Sequence, residues 1–376
     1  MKSMMRKVSI GLVAFFAALQ AAFAAPTISD VRVTPVAPWG MAIDYTVSGA
    51  VACDTNITVC VTATGGGKTY TAKNLTGDTR CVNGAHRMMW NMAKDGITAT
   101  VANSTVSVKY YWLNYCVIDL SSGANATNYP VSYLDAEPSG GFNTLEYKTT
   151  KLVLKRVAAG SFKMQDAASV TLTKPFYMGL FEVTQKQWSL VKGSNPSNFE
   201  GDARPVEEVS YNMIRGSSEG AKWPASNAVD AWSFLGKLRA RTGLDFDLPT
   251  EAQWEYACRA GTTTKYSYGD TANGAYYMWY SSNAGSRTHE VGTKKPNPWG
   301  FYDLHGNVFE WCLDRNGAGA ASGTDPKGSS WGSGRVLRGG GWNGDAGDCA
   351  SSSRDSLNPS SVSSVIGFRL VRPLSD

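Results

Sequence analysis

The stretch GFYDLHGNVFEWCLD, residues 300–314, gathers side chains that could do chemistry. Asp303 and Glu310 offer carboxylates, His305 a ring nitrogen, and Gly306 a tight turn that can aim carbonyls inward. Oxygen donors of this kind suit a hard cation. The same residues also fit a plain structural turn. Glu310 would then bond backbone amides while Trp311 fills the core.

Sulfur is the second resource. The seven cysteines are Cys53, Cys60, Cys81, Cys116, Cys258, Cys312 and Cys349. No Cys-x-x-Cys occurs, which argues against a redox dithiol or a zinc knuckle. The first four fit up to two bridges in one of three connectivities. Histidine is scarce: His86, His289 and His305 stand in different segments, so a converging iron site has no ligand set. Glu207 and Glu208 read as a solvated face, because catalytic carboxylate pairs oppose each other across a cleft. Arg338, Arg354 and Arg369 read as forks that satisfy core carbonyls and acids.

These residues need elements to hold them. The chain of 376 residues has room for two domains. It opens with Lys2, Arg6 and Lys7, an apolar run over residues 8–22, and an A-x-A pattern ending at Ala24. That is a secretory signal over residues 1–24, so export and permitted disulfides are expected. No later stretch is apolar enough for a membrane span. With those three cations gone, 33 basic side chains face 31 acids. A chain so near neutrality, without a basic block, gives no reason to expect nucleic acid.

Residues 25–118 alternate small or polar residues with Val, Ile, Tyr and Trp between Gly-rich turns. They read as an all-β immunoglobulin-like sandwich. Residues 119–148 read as a linker. Residues 149–376 carry few periodic segments. Helices are expected at TQKQWSLVKG and LPTEAQWEYACRAG, each with a Thr-x-x-Gln capping box, the second stopping at Gly261. A third is expected over NAVDAWSFLGKLRARTG, with Val229, Trp232, Leu235 and Leu238 on one stripe.

Five ordered blocks carry a resemblance. MGLFEVTQKQWSLVKGSNPSNFEGDARPVEEVSY, LPTEAQWEYACRAGT, KKPNPWGFYDLHGNVFEWCLD, RVLRGGGW and SSSRDSLNPSSVSSVIGFRLVRP together resemble the sulfatase-modifying factor family, which includes the formylglycine-generating enzymes. The resemblance implies an irregular α+β domain similar to C-type lectin-like folds. It implies calcium held by Asp303, Gly306, Val308 and Glu310. The oxidases of this family bind copper(I) through two cysteines beyond an RGGS block, soft donors for a soft ion. Here Gly341 replaces the serine, and only Cys349 lies between it and Arg354. Copper is therefore not expected, and Cys349 is at most a weak catalytic candidate. The resemblance implies a Cys258–Cys349 disulfide, with a buried free thiol at Cys349, or Cys312 as the bridging partner, left open. The expected function is that of an exported member without formylglycine oxidase activity. The alternatives are a lectin-like binding or adhesion module for a protein, peptide or glycan, using Trp279, Trp299, Trp331 and Trp342, or an oxidoreductase acting on cysteine-containing proteins.

Overall fold

The computed structural model describes residues 27–36, 40–48, 55–56, 62–65, 68–71, 75–77, 84–95, 111–270, 274–317, 319 and 321–374. The expected leader, Cys53, Cys60 and Cys81 lie outside these residues. Two units are distinguished, meeting in sequence between Leu113 and Asn114.

The first unit follows from period-two alternation. Ile43, Tyr45 and Val47 are buried while Asp44 and Thr46 between them are partly exposed. The strand Gly40–Ser48 pairs antiparallel with Thr27–Val36 on one side and Gly84–Asn91 on the other, and Leu75–Gly77 completes a four-stranded sheet. Met88 and Trp90 extend the buried face. His86 stacks on Tyr45 at 5.3 Å, as a packing residue would. The described residues form an antiparallel β unit. Two short antiparallel ribbons, Thr55–Asn56 with Tyr111–Trp112 and Thr62–Gly65 with Lys68–Thr71, belong to it as well.

The second unit begins earlier than the sequence indicates. Residues 119–148 are not a free linker. Tyr115–Asp119 pairs with Lys151–Val157, and Val131–Leu134 pairs with Tyr115–Asp119. Polar anchoring explains how so Ser/Gly-rich a segment is held: the Tyr129 hydroxyl donates to Leu190 O at 2.9 Å and receives Arg241 Nη1 at 2.7 Å. Phe176–Gly179 and Val371–Pro373 complete this five-stranded antiparallel sheet.

A second sheet of four strands runs in the order Arg354–Leu357, Arg335–Arg338, Phe309–Arg315, Ile366–Gly367. Short helices accompany the sheets. Both capping boxes form, at Thr184 with Gln187 and at Thr250 with Gln253. The second helix, Glu251–Arg259, ends two residues before the expected glycine, with Ala260 at φ +47° and Gly261 at φ +87° following it. The third helix is shorter than expected. Ser233 accepts the Gly236 N–H and starts it at Phe234, so Val229 and Trp232 precede it and Trp232 is half exposed.

The core between the sheets is apolar but threaded with charge. Trp254, Trp311 and Cys258 are fully buried, and so are Glu310, Arg338 and Arg369. Arg369 forks onto Glu310, with Nη2 to Oε1 at 2.6 Å and Nε to Oε2 at 2.7 Å. Its other hydrogens go to the carbonyls of Tyr302 at 2.9 Å and Gly179 at 3.1 Å. One guanidinium thus ties both sheets to the 300–310 loop. Removing one partner of a buried pair strands the other charge, at a cost of about 3–5 kcal/mol. Arg369→Ala is expected to lose stability on that scale in denaturant unfolding, and Arg369→Ala/Glu310→Leu to lose less than Arg369→Ala alone. Equal losses would remove the pair from this role.

Candidate functional site

The 300–314 loop is built by its backbone. Asp303, Gly306 and Asn307 all take positive φ, at +57°, +86° and +66°. At Gly306 a side chain is impossible, since a Cβ would sit 2.3 Å from Trp279 O. The turn is pinned from several sides. Gly306 N–H donates to Gly339 O at 2.7 Å, and Asn307 N–H to Trp279 O at 2.8 Å. Asn307 Nδ2 donates to the buried Glu182 at 2.7 Å, and Val308 N–H donates to the same carboxylate.

The four expected calcium ligands can be judged on their donor atoms. Glu310 is committed elsewhere. Arg369 takes both of its oxygens and the Trp254 indole N–H adds a bond to Oε2 at 2.8 Å. Asp303 gives Oδ2 to the Gly292 N–H at 2.6 Å, while its Oδ1 is buried without a partner. Burial pushes the Asp303 carboxyl up to about 6. Burial, then the charges of Asp303 and Glu310, push Glu182 well above the usual carboxylate range. Among the described residues no cluster of three or more His, Cys, Asp or Glu is arranged to hold a metal. Of the set Asp303, Gly306, Val308 and Glu310, only Glu310 has both carboxylate oxygens engaged within the protein. The cation that meets Glu310 is the guanidinium of Arg369.

The thiols are buried as well. Cys258, Cys312 and Cys349 have no exposed surface, and all three are free. The bridge expected between Cys258 and Cys349 is not formed. His305 contacts both residues, with its ring 3.8 Å from Cys258 Sγ and its Nδ1 2.8 Å from Cys349 O. A carbonyl only accepts, so Nδ1 carries the proton and Nε2 accepts from the Ser267 N–H at 3.2 Å. Burial holds His305 down at about 4, which keeps it neutral. Burial also pushes the Cys258 and Cys349 thiols up to about 12. His305 is thus a packing and hydrogen-bonding residue, and none of these sulfurs is poised as a thiolate.

The arginine forks behave as their sequence setting implies. Arg338 meets Glu255 and the carbonyls of Ser351 and Ser353. Arg354 Nε meets Glu251 at 2.8 Å. Glu207 is a residue the sequence misplaces. It is buried, its Oε1 accepts the Phe199 N–H at 2.7 Å, and burial pushes it up to about 7. The neighbouring Pro and Val could have signalled burial, but the adjacent Glu208 obscured it. Of the four tryptophans expected to face ligand, three are engaged by the protein. Trp299 packs on Tyr256, Trp279 stacks on His289 at 3.7 Å, and Trp342 donates to Ser364 O at 2.9 Å. Trp331 is 62% exposed.

Two outcomes follow. Iodoacetamide at neutral pH should leave Cys258, Cys312 and Cys349 unlabelled in the native protein and label all three after unfolding, as read by peptide mass mapping. A Cys258–Cys349 cross-linked peptide would contradict this. Dialysis against a calcium chelator should leave the thermal midpoint unchanged, and a drop of several degrees would show that the loop needs a metal after all.

Residues 143–374 match the family described as "Sulfatase-modifying factor enzyme 1-like domain". The chain is 32% identical over 224 residues to "Chaperone protein LppX" of Paenibacillus barcinonensis, covering 50% of this chain and 77% of that one. It is 37% identical over 141 residues to a "Formylglycine-generating enzyme" of Streptomyces coelicolor, covering 32% of this chain and 45% of that enzyme. Among solved structures, "Treponema denticola variable protein 1" superposes with a TM-score of 0.52 at 31% identity, over 60% of this chain and 96% of that one. Through its second unit, the chain belongs to the sulfatase-modifying factor enzyme 1-like domain family.

Proposed function

We propose that this chain is an exported, ligand-binding member of its family rather than a cysteine oxidase. The observation that carries the reading is the burial of Cys258, Cys312 and Cys349. A thiolate that attacks a substrate or holds copper(I) must be exposed and acidified, usually by nearby cations. Here burial works in the opposite direction. Past the Gly339–Gly341 run only Cys349 is available before Arg354, so paired sulfur coordination has no second donor nearby in sequence. Relatives named as a chaperone protein and as a variable protein, beside those named as generating enzymes, fit a domain used for more than one task. The basic start, apolar run and A-x-A pattern over residues 1–24 support export.

The test uses the purified full chain with copper(I), oxygen and a peptide bearing a Cys-x-Pro-x-Arg motif. No aldehyde is expected by mass spectrometry or hydrazide capture, while a formylglycine-generating enzyme run in parallel converts the peptide. Turnover by this chain would establish the oxidase instead.

A further inference from the structure

One cleft lies apart from the loop and the thiols. It measures about 280 Å³ and is lined in part by Glu251, Gly328, Ser329, Trp331 and Arg354. Its walls come from the start of the Glu251–Arg259 helix, the loop before the Arg335–Arg338 strand, and the edge strand Arg354–Leu357.

The chemistry of the lining is mixed in a particular way. Trp331 presents an indole with most of its surface in solvent, whereas Trp188, Trp254 and Trp311 are fully buried. A lone exposed aromatic is ordinary. This one stands beside convergent polar groups, the usual composition of a small-molecule site. Arg354 gives Nε to Glu251 at 2.8 Å and Nη1 to Asn316 Oδ1 at 2.7 Å, leaving Nη2 without a protein partner among the described residues. Ser329 Oγ accepts the Trp331 N–H at 3.2 Å and keeps its own hydrogen to donate. Glu251 is shared by Arg354 and Arg338, and Glu255 meets Arg338 in turn, so charge offsets charge around the cleft and the lining favours an uncharged ligand over an ion.

The loop is set rather than loose. Gly328 has φ +75°, and a Cβ there would sit 2.6 Å from Asp314 Oδ1. Gly332 has φ +112°, and a Cβ there would sit 2.6 Å from Asn316 O. Asp314 is buried behind Gly328, its Oδ2 accepts the Glu251 N–H at 2.8 Å, and its Oδ1 has no partner. The wall beside Trp331 is thus pressed onto the sheet, which lowers the ordering cost of binding.

From this juxtaposition we infer that the cleft binds one ring of a neutral sugar. The apolar C–H face of a pyranose would lie on the Trp331 indole, with hydroxyls meeting Arg354 and Ser329. A pyranose offers both donors and acceptors on its rim and one apolar face, the complement of this lining, and a cleft of this size takes a single ring. The inference rests on the binding reading given above and names the ligand class for it.

The experiment applies the purified full chain to an array of neutral glycans, acidic glycans and peptides, and follows hits by tryptophan fluorescence titration with the matching methyl glycopyranoside. A neutral glycan should bind. Trp331→Ala should weaken it about tenfold or more, about 1.4 kcal/mol, and Trp331→Phe less, both with unchanged thermal midpoints. Ser329→Ala, a smaller change, should weaken it several-fold and guards against a folding artefact at Trp331. Three results would overturn the sugar assignment: no neutral glycan bound, binding indifferent to Trp331→Ala, or peptides bound in place of glycans. None of these forms aldehyde, so failure here stays separate from failure of the binding reading, which the oxidase assay decides.

Discussion

The fork of Arg369 on Glu310 is the contact on which the second unit depends. Two ions with no solvent exposure are tolerable only when each finds enough opposite charge and hydrogen bonds. Arg369 meets that condition by using Glu310 and the carbonyls of Gly179, Leu180 and Tyr302. Those carbonyls lie on or next to other elements of the unit. The pair therefore fixes the spacing of two sheets that have little regular structure of their own. A domain so rich in loops cannot rely on ladders alone, and charge placed indoors supplies direction where apolar packing has none.

The same logic runs through the rest of the interior. Arg338 holds Glu255 and the segment carrying Ser351, Arg259 joins Glu255 to Asp166, and Arg215 holds Asp247 at 2.7 Å. Each fork crosses a long stretch of sequence. Sulfur is left with a filling role. Cys258 and Cys349 sit in the same apolar surroundings as His305, and the low dielectric that keeps the imidazole neutral also keeps the thiols protonated.

What could be read from the sequence was mostly local. Thr184 with Gln187 and Thr250 with Gln253 are caps whose partners lie three residues away, so their pattern is visible in a short window. The arginines near the end were readable as core forks because a charged residue amid Gly and aromatics has few other uses. What was hidden depends on distant partners. Nothing near Glu310 announces that Arg369, 59 positions on, will take its oxygens. Nothing in residues 119–148 announces that Tyr129 will anchor to Leu190 and Arg241. Glu207 turns inward because the Phe199 amide needs an acceptor, and Ser233 starts its helix later than the apolar stripe implies. The cleft beside Trp331 escaped for the same reason: its walls come from residues near 251, 329 and 354.

The late position of Arg369 and its neighbours has a bearing on biogenesis. The Val371–Pro373 strand closes onto Phe176–Gly179, and Ile366–Gly367 onto Phe309–Glu310. A nascent chain that has reached Glu310 still lacks its counter-ion and two closing strands. Loop closure over so many residues is entropically slow. The second unit therefore cannot close until almost all of it has been synthesised.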